Sequence, residues 1–224
     1  MHNKFKNLAK RTITGIILGA LFWISFIYLP PWCFSIVIIA ILAQIIAFEW
    51  TRLFDPKTAL FWFVMPFYPI LPFLLILWMN HSCYRPLLFI LFILVSAHDT
   101  GSYLIGNLFG KRHIASMISP GKTWEGFFGG YLFACGGLWL ALWELGDAKP
   151  LWFIMLFTFI VCLTSLIGDL FESWLKRRAH VKNSGSILPG HGGFLDRFDG
   201  IMFTVFFFYL FRDWLLAYFP SITC

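Results

Sequence analysis

Seven stretches of this chain, residues 13–29, 32–48, 59–79, 87–109, 126–143, 151–172 and 200–219, are long and apolar enough to cross a lipid bilayer as helices. Nothing else in the sequence constrains the fold so tightly. Hydrocarbon offers the backbone no hydrogen-bond partners, so a spanning segment must satisfy its own N–H and C=O groups, as a helix does. Composition agrees: of 224 residues, 59% are hydrophobic and only 12% are charged, against about a quarter charged in soluble domains. The expected fold class is all-α, a polytopic membrane helix bundle of about seven transmembrane helices.

A formal charge of +6 would raise nucleic-acid binding in a soluble protein, but here the placement of the charge gives it a plainer origin. Of 17 Lys and Arg, only Arg85 and Lys149 fall in segments expected outside, and Arg212 lies within the last span. The others flank the opposite helix ends. Cytoplasmic segments collect Lys and Arg, so the N-terminus is expected in the cytoplasm, and no nucleic-acid partner is expected. This orientation puts both polar loops, 110–125 and 176–199, on the cytoplasmic face. The chain divides on this reading into N-terminal transmembrane helices over 1–85 and a second membrane domain over 86–224 that holds both polar loops. The basic start "MHNKFKNLAKRT" leads into an apolar run that is long for a leader peptide and ends in Pro30-Pro31-Trp32. It reads as a retained first helix, in a tight hairpin with the second. Pro66, Pro69 and Pro72 predict kinks or a broken helix in the third span. Gly15/Gly19, Gly106/Gly110 and Gly126/Gly130 have the spacing of close helix packing. The five cysteines are scattered and lack a C-x-x-C pair, which argues for neither zinc nor a disulfide framework.

Against this apolar background three polar constellations stand out. In "AHDTGSYLIGNLFGKRHIASMISPGKTWEG", residues 97–126, Asp99 sits at the edge of a span, where a carboxylate is either functional or paired with a neighbour such as His98. The "GKT" at 121–123 is no P-loop, because Ser116 stands where the first glycine belongs. Thr123 and Glu125 look like a helix start, leaving Lys122 at a positive N-terminus suited to an anion, or else snorkelling to the interface. In "GDLFESWLKRR", residues 168–178, Asp169, Glu172, Ser173, Lys176 and Arg177 share one helical face. Asp169 lies a full turn deeper than an interfacial ion pair requires. In "LPGHGGFLDRFDG", residues 188–200, Gly190, Gly192 and Gly193 permit positive φ and close backbone approach. Asp196 and Asp199, three apart, point the same way. That last pair is equally a helix cap with a salt bridge when taken alone. Together, carboxylates at 169, 196 and 199 suit Mg²⁺, which takes few protein carboxylates and fills its shell with phosphate and water oxygens. Lys122, Lys176, Arg177, Lys182 and Arg197 can neutralise phosphates. The physical chemistry points to a nucleotide and a membrane-borne partner.

The string "SWLKRRAHVKNSGSILPGHGGFLDRFD", Ser173–Asp199, also resembles the signature of the phosphatidate cytidylyltransferases, and "DTGSYLIGNLFGK…SPGKTWEG" resembles a second motif of that family. The similarity covers roughly residues 90–215. It implies the reaction CTP + phosphatidate → CDP-diacylglycerol + pyrophosphate in phospholipid biosynthesis, at the inner face of the cell membrane. By resemblance, Asp169, Asp196 and Asp199 hold Mg²⁺, with a second cation left open, and Lys176 joins them in catalysis. Arg177 and Arg197 bind triphosphate, Lys122 and Lys182 take the lipid headgroup or nucleotide, and the His191-Gly192-Gly193 turn lies against a substrate. Asp99, Thr123, Glu125 and Ser173 complete the binding set. The partners implied are CTP, phosphatidate and membrane lipid; whether two copies pair is left open. One departure is clear: the family's Lys-Asp is Lys182-Asn183 here. A CTP-dependent polyprenol or phytol kinase is the neighbouring enzyme reading, and a transporter is the non-enzyme one. "DRFDG" contains the D-x-x-D-G of CDP-alcohol phosphotransferases, but the rest of that pattern does not follow in Ile201–Tyr209.

Overall fold

The structure, a computed structural model, describes residues 19–147, 149–185, 187 and 192–220. It contains two compact units. The first takes in the described chain up to Leu77 together with Leu175–Phe198; the second takes in Trp78–Trp174 and the chain from Asp199 onward.

The first unit opens with helix α1 (19–27). Helix α2 (Pro31–Leu53) begins with Pro31 in its first turn, where the missing N–H breaks no helical bond. Phe34, Ile38, Ile41 and Ile45 are buried, at the spacing of one helical face. Over Ile45–Trp50 the helix widens into a π-helix. Helix α3 (Ala59–Asn80) is capped by the Thr58 side chain, which accepts from the Phe61 N–H. Its prolines break it as expected: Pro66–Ile70 is π-helical, and Tyr68 leaves helical geometry at φ −151°, ψ 103°. Aromatic rings fill the interior, with Phe26 edge-on to Phe34 at 4.9 Å and Phe73 against Phe198 at 5.2 Å between centroids.

In the second unit, helices α4 (Arg85–Phe109) and α5 (Trp124–Glu144) pack through their glycines. A Cβ on Gly130 would stand 2.1 Å from Ser102 Oγ, and one on Gly126 would stand 2.9 Å from the Ser102 carbonyl. Of the other predicted pairs, Gly19 meets nothing within 4 Å, and Gly15 is outside the described residues. The link between α4 and α5, expected as a loop, is an antiparallel hairpin of β1 (His113–Ala115) and β2 (Ser119–Thr123). Helix α6 (Leu151–Arg178) buries Ile154, Thr158, Val161, Cys162, Ser165, Asp169 and Glu172, so its apolar inner face turns acidic towards one end. Helix α7 (Leu195–Leu210) is followed by α8 (Arg212–Tyr218) at an angle of 78°. The expected straight span over 200–219 is therefore broken at Phe211. Arg212 Nη1 donates to the Tyr209 carbonyl at 2.8 Å, and the guanidinium lies over the Tyr209 ring at 4.5 Å. Both contacts hold the bend.

Helices α2 to α6 each have the length and apolarity to cross a membrane, and the bent α7–α8 pair gives a sixth if it counts as one span. The first expected span, 13–29, lies partly outside the described residues. Large apolar side chains such as Phe63, Leu132 and Trp152 are exposed, as suits helices facing lipid. The chain is a multi-pass membrane protein.

Candidate active site

The acidic end of α6 meets the start of α7 at two glycines. A Cβ on Gly168 would stand 2.4 Å from the Asp199 carbonyl oxygen, and one on Gly200 would stand 2.3 Å from Ser165 Oγ and 3.2 Å from Asp169 Oδ1. Only residues without side chains let the backbones come this close. Each glycine neighbours an aspartate, in Gly168-Asp169 and Asp199-Gly200, so the crossing draws the two carboxylates together. Asp169 is buried and forms an ion pair with Lys122, which comes from β2. Burial alone would lower the pKa of Lys122, but the charges of Asp169, Asp99 and Asp199 and the hydrogen bond to Asp169 outweigh it. They hold the ammonium well above its ordinary value. Asp199 feels the charges of Asp169, Glu172, Lys122 and Asp99. Asp99 is the more exposed member, with Oδ1 3.7 Å from Nδ1 of the buried His98.

Oxygen donors dominate this cluster, and carboxylates outnumber its lysine. Ser165 adds a fully buried hydroxyl that has no hydrogen-bond partner among the described residues. A hard divalent cation fits this chemistry. Among the described residues, no three His, Cys, Asp or Glu side chains are placed to hold a metal by themselves.

A second cluster lies in the first unit. Asp196 Oδ1 pairs with Lys176 Nζ at 2.6 Å. Its Oδ2 accepts from the Gly193 N–H at 2.8 Å, the Ser184 hydroxyl at 3.0 Å and the Ser184 N–H at 3.2 Å. Glu49, fully buried on α2, accepts from the Phe194 N–H at Oε1 and from the Leu195 N–H at Oε2, both at 2.8 Å. The Ser184 hydroxyl also donates to Glu49 Oε2 at 2.9 Å, and Gln44 Nε2 donates to Oε1 at 3.2 Å. Three consecutive amides, 193 to 195, are thereby taken up by carboxylates of the protein itself. The glycines are required: Gly192 has φ +82°, and a Cβ on Gly193 would press 2.2 Å from Glu49 Oε2.

Of the remaining expected residues, Thr123 caps α5 by accepting from the Gly126 N–H at 3.2 Å. Glu125 Oε2 accepts from the N–H groups of Lys111 and Arg112, each at 3.1 Å, and ties the hairpin to α5. Arg177, Lys182, Asn183 and Arg197 are exposed, and Ser173 is half-buried. His191 is outside the described residues. Sequence reasoning passed over Glu49, Ser165 and Ser184. Glu49 carried a usable signal, since a lone carboxylate in an apolar span calls for a partner or a task.

Fold and site define a multi-pass membrane protein with two lysine–aspartate pairs, Lys122–Asp169 between strand β2 and helix α6 and Lys176–Asp196 between α6 and α7. The chain belongs to the cytidylyltransferase family, whose sequence model matches residues 56–215. It is 39% identical over 181 residues to a phosphatidate cytidylyltransferase of Haemophilus influenzae, a match covering 72% of this chain and 62% of that protein. It is 47% identical over 115 residues to one from Staphylococcus aureus, covering 51% and 44%. A third, from Mycobacterium leprae, is 43% identical over 114 residues, covering 51% and 36%. The chain therefore matches between about one third and two thirds of the length of these relatives.

Proposed function

We propose that this protein transfers the cytidylyl group of CTP to phosphatidate, forming CDP-diacylglycerol and pyrophosphate at the cytoplasmic face of the cell membrane. The observation that carries the reading is the ion pair of half-buried Lys122 with buried Asp169, set against Asp199 by the Gly168/Gly200 crossing, in a chain of the cytidylyltransferase family. The phosphomonoester of phosphatidate has its second pKa near about 6, so it is largely a dianion at neutral pH. It needs little help from a base. A lipid phosphate oxygen attacks the α-phosphorus of CTP, and the bond to the β,γ-diphosphate breaks with its electron pair leaving on pyrophosphate. The difficulty lies in bringing two anions together, so the protein's work is positioning and charge neutralisation.

Each Lys–Asp pair suits that work. Asp169 would help to hold Mg²⁺, and Lys122 beside it would neutralise a phosphate. Asp196 and Asp199 are the other carboxylates we assign to Mg²⁺, and Lys176, paired with Asp196, would neutralise a phosphate. Bound Mg²⁺ would neutralise the nucleotide phosphates and the departing pyrophosphate. Arg177, Lys182 and Arg197, exposed on the helix end and loop, would meet the triphosphate and the lipid headgroup. Purified protein in detergent, given Mg²⁺, CTP and phosphatidate, should release pyrophosphate and CDP-lipid in equal amounts. No turnover, with solute flux through reconstituted liposomes, would replace this reading with a transporter.

A further inference from the structure

Glu49 lies 145 residues before the loop that it holds. It is fully buried, within the π-helical stretch Ile45–Trp50 of α2. Insertions of this kind re-aim side chains and often mark functional sites. A carboxylate in such a place costs free energy unless its oxygens are bonded. Here both are, by the N–H groups of Phe194 and Leu195 at 2.8 Å and by the Ser184 hydroxyl at 2.9 Å. The two amides open α7, immediately before Asp196. The same Ser184 hydroxyl lies 3.0 Å from Asp196 Oδ2, so one proton serves both carboxylates and links their positions. Gly193 leaves room for the arrangement, since its missing Cβ would overlap Glu49 Oε2.

From this we infer that Glu49 is a positioning residue, which pins the start of α7 through the Phe194 and Leu195 amides and thereby aims Asp196. The inference rests on the role given to Asp196 above. Glu49 touches no substrate in this account. It acts through the backbone, and it denies those two amides to a phosphate.

Glu49→Gln tests it, since the amide replaces one carboxylate oxygen with a donor that faces backbone N–H groups. Two readouts are needed: hydrogen exchange at the Phe194 and Leu195 amides by mass spectrometry, and steady-state kinetics with CTP and phosphatidate. The expected result is exchange at least tenfold faster at those amides and kcat lower by about tenfold to a hundredfold, with the KM for CTP within threefold of the parent. Ser184→Ala, which removes the shared donor, should move both readouts the same way by less, and stands in if Glu49→Gln does not fold. Unchanged exchange in both variants overturns the anchoring. So does a kcat within twofold of the parent when exchange is fast. Should the parent form no CDP-lipid at all, the assigned reaction fails, while the exchange measurement still decides whether Glu49 pins the loop.

Discussion

Removing either partner of the Lys122–Asp169 pair strands the other's charge, and burial makes that costly. Asp169→Asn and Lys122→Met should each lower the melting temperature in detergent, and the double variant should lose less than the sum. The coupling expected is about 0.5–3 kcal/mol, towards the lower end because the Lys122 side chain is 32% exposed. Additive losses would mean that the pair is not a unit. The pH dependence follows from the sign of the Lys122 shift. Its pKa in the folded state is raised above the ordinary 10.5, so its contribution is complete below that value and is lost only as pH climbs past the raised one. The rate should accordingly rise through about pH 6 as phosphatidate gains its second charge, with no fall below pH 10 traceable to Lys122. A descending limb near pH 8–9 that disappears in Lys122→Arg would contradict this.

Helix crossings put these residues where they are, and glycines make the crossings. Gly168→Ala drives a methyl into the Asp199 carbonyl, which cannot step aside, whereas Gly200→Ala meets the Ser165 hydroxyl most closely, with Asp169 Oδ1 farther off at 3.2 Å. Overpacking of this sort costs about 1–3 kcal/mol, so both variants should lose stability and activity. Ser165→Ala should restore much of what Gly200→Ala loses and nothing of what Gly168→Ala loses, as read by melting temperature and turnover. Equal restoration of both would put the crossing elsewhere. The helices themselves were legible because bilayer length and hydrophobicity leave few alternatives, and the proline break at Pro66–Ile70 followed from the missing N–H groups. The polar stripe of α6 was legible from its helical period. Spacing could not show that Lys122 would reach across 47 residues to Asp169, because no local rule encodes a tertiary ion pair. Nor could it show that Glu49 would cap a helix so far along the chain. The bend at Phe211 was hidden for a similar reason, since "FFFYLFRDWLLAYF" reads as one apolar run until Arg212 turns back on Tyr209.

In the whole molecule, the proposed reaction would confine nucleotide chemistry to one side of the membrane. Asn183 and Cys83 are both exposed, and the distribution of Lys and Arg predicts opposite faces for them. A cysteine placed by Asn183→Cys should react with a membrane-impermeant maleimide in inverted vesicles, and Cys83 should react only in right-side-out ones. Labelling of both from one side would undo the topology. Asn183→Asp, which restores the family's residue at an exposed position, should leave kcat within about threefold, since an exposed charge is well screened. The proposed reaction moves a cytidylyl group, not a terminal phosphate, to lipid. Two parallel incubations of the purified protein with phosphatidate and Mg²⁺, one with CTP labelled at the α-phosphate and one at the γ-phosphate, test it most directly. Label should enter the lipid fraction from the α-position alone, with the γ-label recovered in pyrophosphate; γ-label in lipid with release of CDP would make the protein a kinase and contradict the account.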